Sequence, residues 1–357
     1  MPQAVVAYCR GGFEDEAAAD LRRLAAHAGS ALDVVRAPGA AVVVAHPDDL
    51  VLSRWERAVG DVPPIFARTV FAGHGPVALL AATTRGPADR VTPLLAAIDE
   101  LAATGPWRSV WVEYPDTNDG KALSPLSRAL EARLAGALQE RGRITADAHR
   151  RLHVLLQDGA TAFVGTSVAG PRDWPLGIPR LRMPPGAPSR STAKLAEAFG
   201  VFLGESEARL LRPGLRAVDL GAAPGGWTWQ LAQRGLKVAA VDNGPLKGAI
   251  AQDALVTHLR EDGLRWRPAR PVDWLVCDIV EQPIRIADLV AHWIADGMAR
   301  HAIFNLKLPM KKRYDEVRRC TQRIAQVLDA AGVRHTLAVR QLYHDREEVT
   351  AYLARRD

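Results

Sequence analysis

The stretch Val218-Asp219-Leu220-Gly221-Ala222-Ala223-Pro224-Gly225-Gly226-Trp227 constrains this chain more than any other part of it. A short apolar run ends in a glycine-rich bend, and helical spacing begins at Trp227. Glycine has no Cβ, so Gly221, Gly225 and Gly226 let the backbone come close to a ligand. A strand, a glycine turn and a helix in that order belong to an open α/β sheet. Such sheets bind ligands at the carboxyl ends of their strands, next to the topological switch point. The spacing is not the G-x-G-x-x-G of dinucleotide enzymes, which counts against a nicotinamide-dependent dehydrogenase. The plain alternative is a tight turn with no ligand.

The rest of the C-terminal half keeps this grammar. Helices are expected over 192–202, 227–234, 287–299 and 314–331. Strands are expected over 216–220, 237–241, 274–277, 302–306, 335–339 and 349–353. Strands alternating with helices predict a doubly wound, largely parallel sheet.

The N-terminal half reads differently. Residues 4–71 follow the order β-α-β-β-α-β of a ferredoxin-like unit, its last strand expected over 65–71. A helix over 89–103, a strand over 109–114, a basic amphipathic helix over 124–141 and a hairpin over 151–168 come next. This second part carries few acids or histidines at site-like spacing, so an accessory or binding role is expected. Between the halves, Pro171, Pro175, Pro179, Pro184, Pro185 and Pro188 alternate with Arg172, Arg180, Arg182 and Arg190. Proline blocks both helix and central strand, which makes this segment a semi-rigid linker. Its arginines either touch RNA or are simply solvated.

The formal net charge is +6, and residues 301–357 hold 12 Lys/Arg against 7 Asp/Glu. A basic surface there suits a polyanion such as nucleic acid, although a solvated helix face would look the same. No apolar run approaches the roughly 18 residues of a membrane-spanning helix. Met1 to Val6 has no basic region ahead of its apolar run and reads as a first strand rather than a secretory signal. Cys9, Cys277 and Cys320 lie far apart, which disfavours a disulfide framework and a structural zinc site. A reducing, cytoplasmic compartment is expected.

Several polar residues stand where chemistry would occur. Asp242 ends the second strand, roughly 20 residues past the glycines, where a carboxylate can accept hydrogen bonds from ribose hydroxyls. A turn or N-cap role is the alternative. Asp262 lies where such folds place a carboxylate near an adenine, or in an exposed turn. Asp278 and Lys307 each follow an apolar strand, so both should surface at the carboxyl edge. A lysine ending a buried strand needs compensation, and Asp278 is its obvious partner. Lys194 on the preceding helix and Glu348 at the start of the last strand converge on the same edge. Glu347 competes with Glu348, which is preferred by register with Val349.

The glycine stretch resembles motif I of S-adenosylmethionine-dependent methyltransferases, in particular RNA methyltransferases with D-x-G-x-x-P-G-G. The order Lys194, Asp278, Lys307, Glu348 resembles the K-D-K-E tetrad of ribose 2′-O-methyltransferases. With SRSTAKL, FNLKLPMKKRY and QLYHDREEVT, the whole chain closely resembles the ribosomal RNA large subunit methyltransferase M family. The resemblance implies S-adenosylmethionine-dependent 2′-O-ribose methylation of a cytidine in 23S ribosomal RNA. It also implies a ferredoxin-like domain at 1–75, a THUMP-type RNA-binding module at 76–168, a linker at 169–190 and a Rossmann-like catalytic domain at 191–357. The implied cofactor positions are Ser191, Gly221, Ala223, Pro224, Gly225, Gly226, Asp242, Asp262 and Asp278. Ser191 has the alternative of capping its helix. A branched side chain at 225 is expected to fall where the methionine moiety lies. Thr350 departs from the pattern, because smaller relatives tend to carry an aromatic residue there.

The chemistry agrees. A ribose hydroxyl is a poor nucleophile and a sulfonium methyl is already activated, so orientation and a base suffice. No metal is expected. A lysine with a pKa near 10.4 is mostly protonated at neutral pH. A second lysine would lower that value and carboxylates would raise it. Lys307 is the expected base, oriented by Lys194, Asp278 and Glu348. The run Lys311-Lys312-Arg313 follows directly, either as an RNA-phosphate contact or as a solvated helix start. Base N-methyltransferases would show Asn/Asp-Pro-Pro-aromatic where this chain reads Cys277-Asp278-Ile279-Val280. A cytosine C5 enzyme needs a nucleophilic cysteine, for which Cys277 qualifies only by location. A non-catalytic RNA-binding or ribosome-assembly protein is disfavoured by four intact polar positions.

Overall fold

The structure is a computed structural model that describes residues 1–80, 89–170 and 173–356. Pro171 and Arg172 of the linker lie outside the described residues. The chain divides into two units, residues 1–178 and 179–357. Among the described residues, no helix is long and apolar enough to cross a membrane.

The first unit runs β1 (Gln3–Tyr8), α1 (Glu14–Ala28), β2 (Leu32–Arg36), β3 (Val42–Pro47), α2 (Leu52–Asp61), β4 (Thr69–Ala78), α3 (Val91–Glu100), β5 (Trp107–Glu113), α4 (Asn118–Lys121), α5 (Ser124–Glu140), β6 (Arg150–Leu156) and β7 (Thr161–Val168). One seven-stranded sheet holds them in the order β2-β3-β1-β4-β7-β6-β5. Leu21, Leu24 and Trp55 of α1 and α2 share one buried cluster with Val43 and Ala45 of β3. Leu94, Ile98, Leu130 and Leu134 of α3 and α5 do the same with Val154 and Val164 of β6 and β7.

The ferredoxin-like order is present, but its last strand begins later than the expected 65–71. The N–H groups of Ile65, Phe66 and Ala67 all donate to Oδ2 of the buried Asp20, at 2.9, 2.6 and 3.0 Å. Those donors are spent on a side chain and cannot join a ladder. β4 then runs through residue 75, where the sequence placed a domain boundary. It pairs with β1 and, on both sides of a register shift between His74 and Val77, with β7.

The second unit runs α6 (Ser191–Ala198), α7 (Glu207–Leu210), β8 (Arg216–Leu220), α8 (Gly226–Ala232), β9 (Lys237–Val241), β10 (Val256–Leu259), β11 (Val272–Cys277), α9 (Pro283–Ala295), β12 (Ala299–Lys307), α10 (Arg313–Ala330), β13 (His335–Arg340) and β14 (Glu348–Arg355). The sheet order is β10-β9-β8-β11-β12-β14-β13. The chain winds outward from β8 to β10, then crosses back to β11. The switch point therefore lies between β8 and β11. β14 is antiparallel to both β12 and β13. β10 was not expected, because it is a short edge strand reading Val-Thr-His-Leu, partly open to solvent. Leu275, Val276 and Trp274 of β11 are fully buried, as a central strand covered on both faces requires.

Candidate active site

The glycine turn leaves β8 at the switch point. Leu220 pairs with Cys277, so Gly221 and Asp278 emerge from neighbouring strands at one level. Gly225 holds φ +110°, and a Cβ there would lie 2.8 Å from Ile250 Cγ2. A branched residue at 225 would therefore meet backbone strain and the Ile250 side chain. Gly226 is tighter still, with a Cβ meeting Ser191 Oγ at 2.4 Å and Ser189 Oγ at 2.5 Å. Ser191 thus packs on the turn, and its side chain does not cap α6.

Asp242 ties the turn together. The Ala223 N–H donates to its Oδ2 at 3.0 Å and the Gly244 N–H to its Oδ1 at 2.7 Å. It serves as a turn acid, and each oxygen keeps a lone pair for a hydroxyl donor. The Pro224 carbonyl accepts from the Lys247 N–H. Asp262 sits in an exposed turn and accepts the Leu264 N–H at 2.9 Å. The next residue, Gly263, packs against Gly221.

Asp219, in the same motif, was not singled out as a site residue. It is buried, and Thr228 Oγ1 donates to its Oδ2 at 2.6 Å, while Oδ1 has no hydrogen-bond partner among the described residues. Burial pushes its carboxyl up to about 7. A buried acceptor without a donor, beneath a turn whose Gly226 tolerates no side chain, fits a ligand that brings a donor. Among the described residues, no group of three or more His, Cys, Asp or Glu could hold a metal ion.

The four expected polar residues meet beside this turn. Lys307 Nζ donates to Asp278 Oδ1 at 2.6 Å and to Glu348 Oε2. Lys194 Nζ donates to Glu348 Oε1 and lies 3.8 Å from Asp278 Oδ2. Antiparallel β14 makes this possible, because its first residue, Glu348, pairs directly with the last residue of β12, Lys307. Glu347 points elsewhere, accepting from Arg313 Nη2 at 2.8 Å. Burial alone would lower the Lys307 pKa, but Asp278 and Glu348 outweigh it and hold it above the ordinary lysine value. The carboxylates therefore prevail over the expected lysine–lysine repulsion. The Cys277 thiol is fully buried and pushed up to about 12 by that burial, which removes it as a nucleophile at neutral pH.

Sequence reasoning missed the residues behind the cluster. Glu197, one turn after Lys194 on α6, accepts the N–H groups of Tyr343 and His344 at 2.8 and 3.0 Å. It clamps the loop that leads to Glu348. Asn305 Nδ2 donates to Asp278 Oδ1 at 2.9 Å, and Thr350 Oγ1 lies 2.8 Å from Asn305 Oδ1. An acid at helical spacing from Lys194, and the departure from the family's pattern at Thr350, were the available signals. Lys311 and Lys312 are exposed, whereas Arg313 opens α10 and is partly buried against Glu347.

Residues 89–168 match the family described as ribosomal RNA large subunit methyltransferase M, N-terminal, and residues 187–331 match FtsJ-like methyltransferase. The chain is 48% identical over 358 residues to the ribosomal RNA large subunit methyltransferase M of Methylococcus capsulatus, covering 99% of this chain and 98% of the relative. It is 56% identical over 274 residues to the protein of that name in Laribacter hongkongensis, covering 76% of each. With the one in Thauera aminoaromatica it shares 45% over 98% of its own length and 95% of the relative.

Proposed function

The chain belongs to the ribosomal RNA large subunit methyltransferase M family, and from that premise we propose that it methylates the 2′-hydroxyl of a cytidine in 23S ribosomal RNA, with Lys307 as the base. It is an rRNA methyltransferase, and S-adenosylmethionine is its methyl donor. The observation that supports the finer reading best is Lys307 Nζ at the carboxyl edge, held by Asp278 and Glu348 beside the glycine turn.

When bound, S-adenosylmethionine supplies a methyl group on a sulfonium that needs no further activation. Gly221, Ala223, Pro224, Gly225 and Gly226 would cradle it, with Asp242 on its ribose, Asp262 near its adenine, Ser191 and Asp278 lining the approach, and Asp219 beneath the turn. Lys307 rests as an ammonium ion and must release that proton to solvent before it can act. The neutral amine would then take the 2′-hydroxyl proton as the ribose oxygen gains the methyl group, the carbon–sulfur bond breaking to leave a neutral thioether. Asp278 and Glu348 stabilise the ammonium as it re-forms, so the groups that raise its pKa also favour proton uptake. Lys194 holds the second Glu348 oxygen and fixes that carboxylate.

Lys311 and Lys312 would contact RNA phosphates, with Arg313 at the rim. The first unit would act as ferredoxin-like and THUMP-type RNA-binding modules ahead of the 169–190 linker. The protein would work in the cytoplasm, where its substrate is made. Nucleoside mass spectrometry of 23S rRNA from cells lacking the protein tests the reading. Loss of one 2′-O-methylcytidine is expected. A missing methyl on a base, or no missing methyl, would overturn it.

A further inference from the structure

We propose that Asp345, Thr350 and Asn305 form a positioning relay that fixes the Asp278 carboxylate against Lys307. The proposal rests on the reading of Lys307 as the base.

All three side chains are fully buried. Asp278 is an acceptor only, so the Asn305 amide must turn its nitrogen toward Asp278 and its oxygen toward Thr350. The distances are 2.9 Å from Asn305 Nδ2 to Asp278 Oδ1 and 2.8 Å from Asn305 Oδ1 to Thr350 Oγ1. The single Thr350 hydroxyl proton therefore belongs to Asn305 Oδ1. Yet Thr350 Oγ1 also lies 3.0 Å from both carboxyl oxygens of Asp345. With its own proton committed, Thr350 can only accept there, and Asp345 must donate. The relay is complete when Asp345 is a neutral carboxylic acid.

Burial agrees, pushing the Asp345 carboxyl well above the usual range; the nearby Glu348 charge adds to it, and the Leu342 N–H, Lys194 and Thr350 oppose it without cancelling it. The Leu342 N–H, donating to Asp345 Oδ2 at 2.9 Å, anchors the acid in its loop. The relay ends on Asp278 Oδ1, the same oxygen that Lys307 engages at 2.6 Å. A second donor on that oxygen fixes its direction and tempers its hold on the Lys307 proton. It also accounts for a threonine at position 350, since an aromatic side chain would supply no hydroxyl at this point.

The test uses the full chain, single-turnover methyl transfer to RNA between about pH 6.5 and 9, and cofactor affinity by calorimetry. Thr350→Val should slow transfer by about tenfold or more and move the rising limb of the pH profile upward, with cofactor affinity unchanged. Thr350→Ser, which keeps the hydroxyl, should recover most of the loss. Asp345→Ala should fall as far as Thr350→Val, whereas Asp345→Asn, whose amide still donates, should recover. Infrared spectra should show a neutral carboxylic-acid carbonyl band at neutral pH that Asp345→Asn removes. Absence of that band, or equal losses in the Val and Ser variants, would overturn the relay. Wild-type turnover in Thr350→Val with Lys307→Ala inactive would overturn the relay alone. Full activity in Lys307→Ala would overturn the base assignment.

Discussion

Methyl transfer should accelerate steeply with pH, because only the neutral form of Lys307 can accept a proton. Asp278 and Glu348 hold its pKa above the ordinary value, which is about 10.4. At pH 7.5 the neutral fraction is then below about one in a thousand. Reaching the amine costs at least about 4 kcal/mol there, comparable to the roughly 3–5 kcal/mol that a well-placed base returns. The sign is fixed by the direction of the shift. A raised lysine pKa keeps the charged form, so activity is suppressed at low pH and released as pH rises. Between pH 6.5 and 9, kcat/KM should climb about tenfold per unit, some three-hundredfold in all. Glu348→Gln removes one of the two carboxylates, so its rising limb should move to lower pH while its maximal rate falls. Lys307→Arg should be nearly dead at every pH, because guanidinium keeps its proton. The assay is initial-rate transfer of labelled methyl at subsaturating RNA, with cofactor affinity measured at each pH. A flat profile, or substantial activity in the arginine variant, would refute Lys307 as base and leave it an electrostatic role.

Gly226→Ala should weaken cofactor binding at least tenfold and destabilise the second unit by about 1–3 kcal/mol, because the new Cβ would lie 2.4 Å from Ser191 Oγ; unchanged calorimetric affinity and melting would refute this. Asp219→Asn should alter how stability depends on pH. The Asp219 carboxyl titrates at about 7 in the fold and near 3.9 when unfolded. Both states are protonated below pH 4, and the unfolded state ionises first as pH rises. Stability is therefore drawn down between about pH 4 and 7, by at most about 4 kcal/mol. Urea unfolding at pH 5 and 7.5 should show the asparagine variant gaining on the wild type at the higher pH, and parallel pH dependences would refute it.

The sequence alone determined the kinds of most elements, β10 apart, together with the glycine turn and the four polar positions. Apolar runs ending in Asp219-Leu220-Gly221, Cys277-Asp278 and Leu306-Lys307 mark strand ends locally, and parallel strands place such ends on one edge. Tertiary structure decided what is non-local. The reversal of β14, which sets Glu348 against Lys307, depends on pairing between strands 41 residues apart. No alternation of apolar and polar residues reveals strand direction. The preference for Glu348 over Glu347 was legible in sequence, but the partner of the outer acid was not: Arg313 takes Glu347. Asp20 withdrew Ile65 to Ala67 from the first sheet by taking their N–H groups across 45 to 47 residues. Asn305 and Asp345 look unremarkable in sequence, and Thr350 stands out there only as a departure from the family's pattern. Their roles arise because a buried polar atom must find its partner wherever packing has placed one.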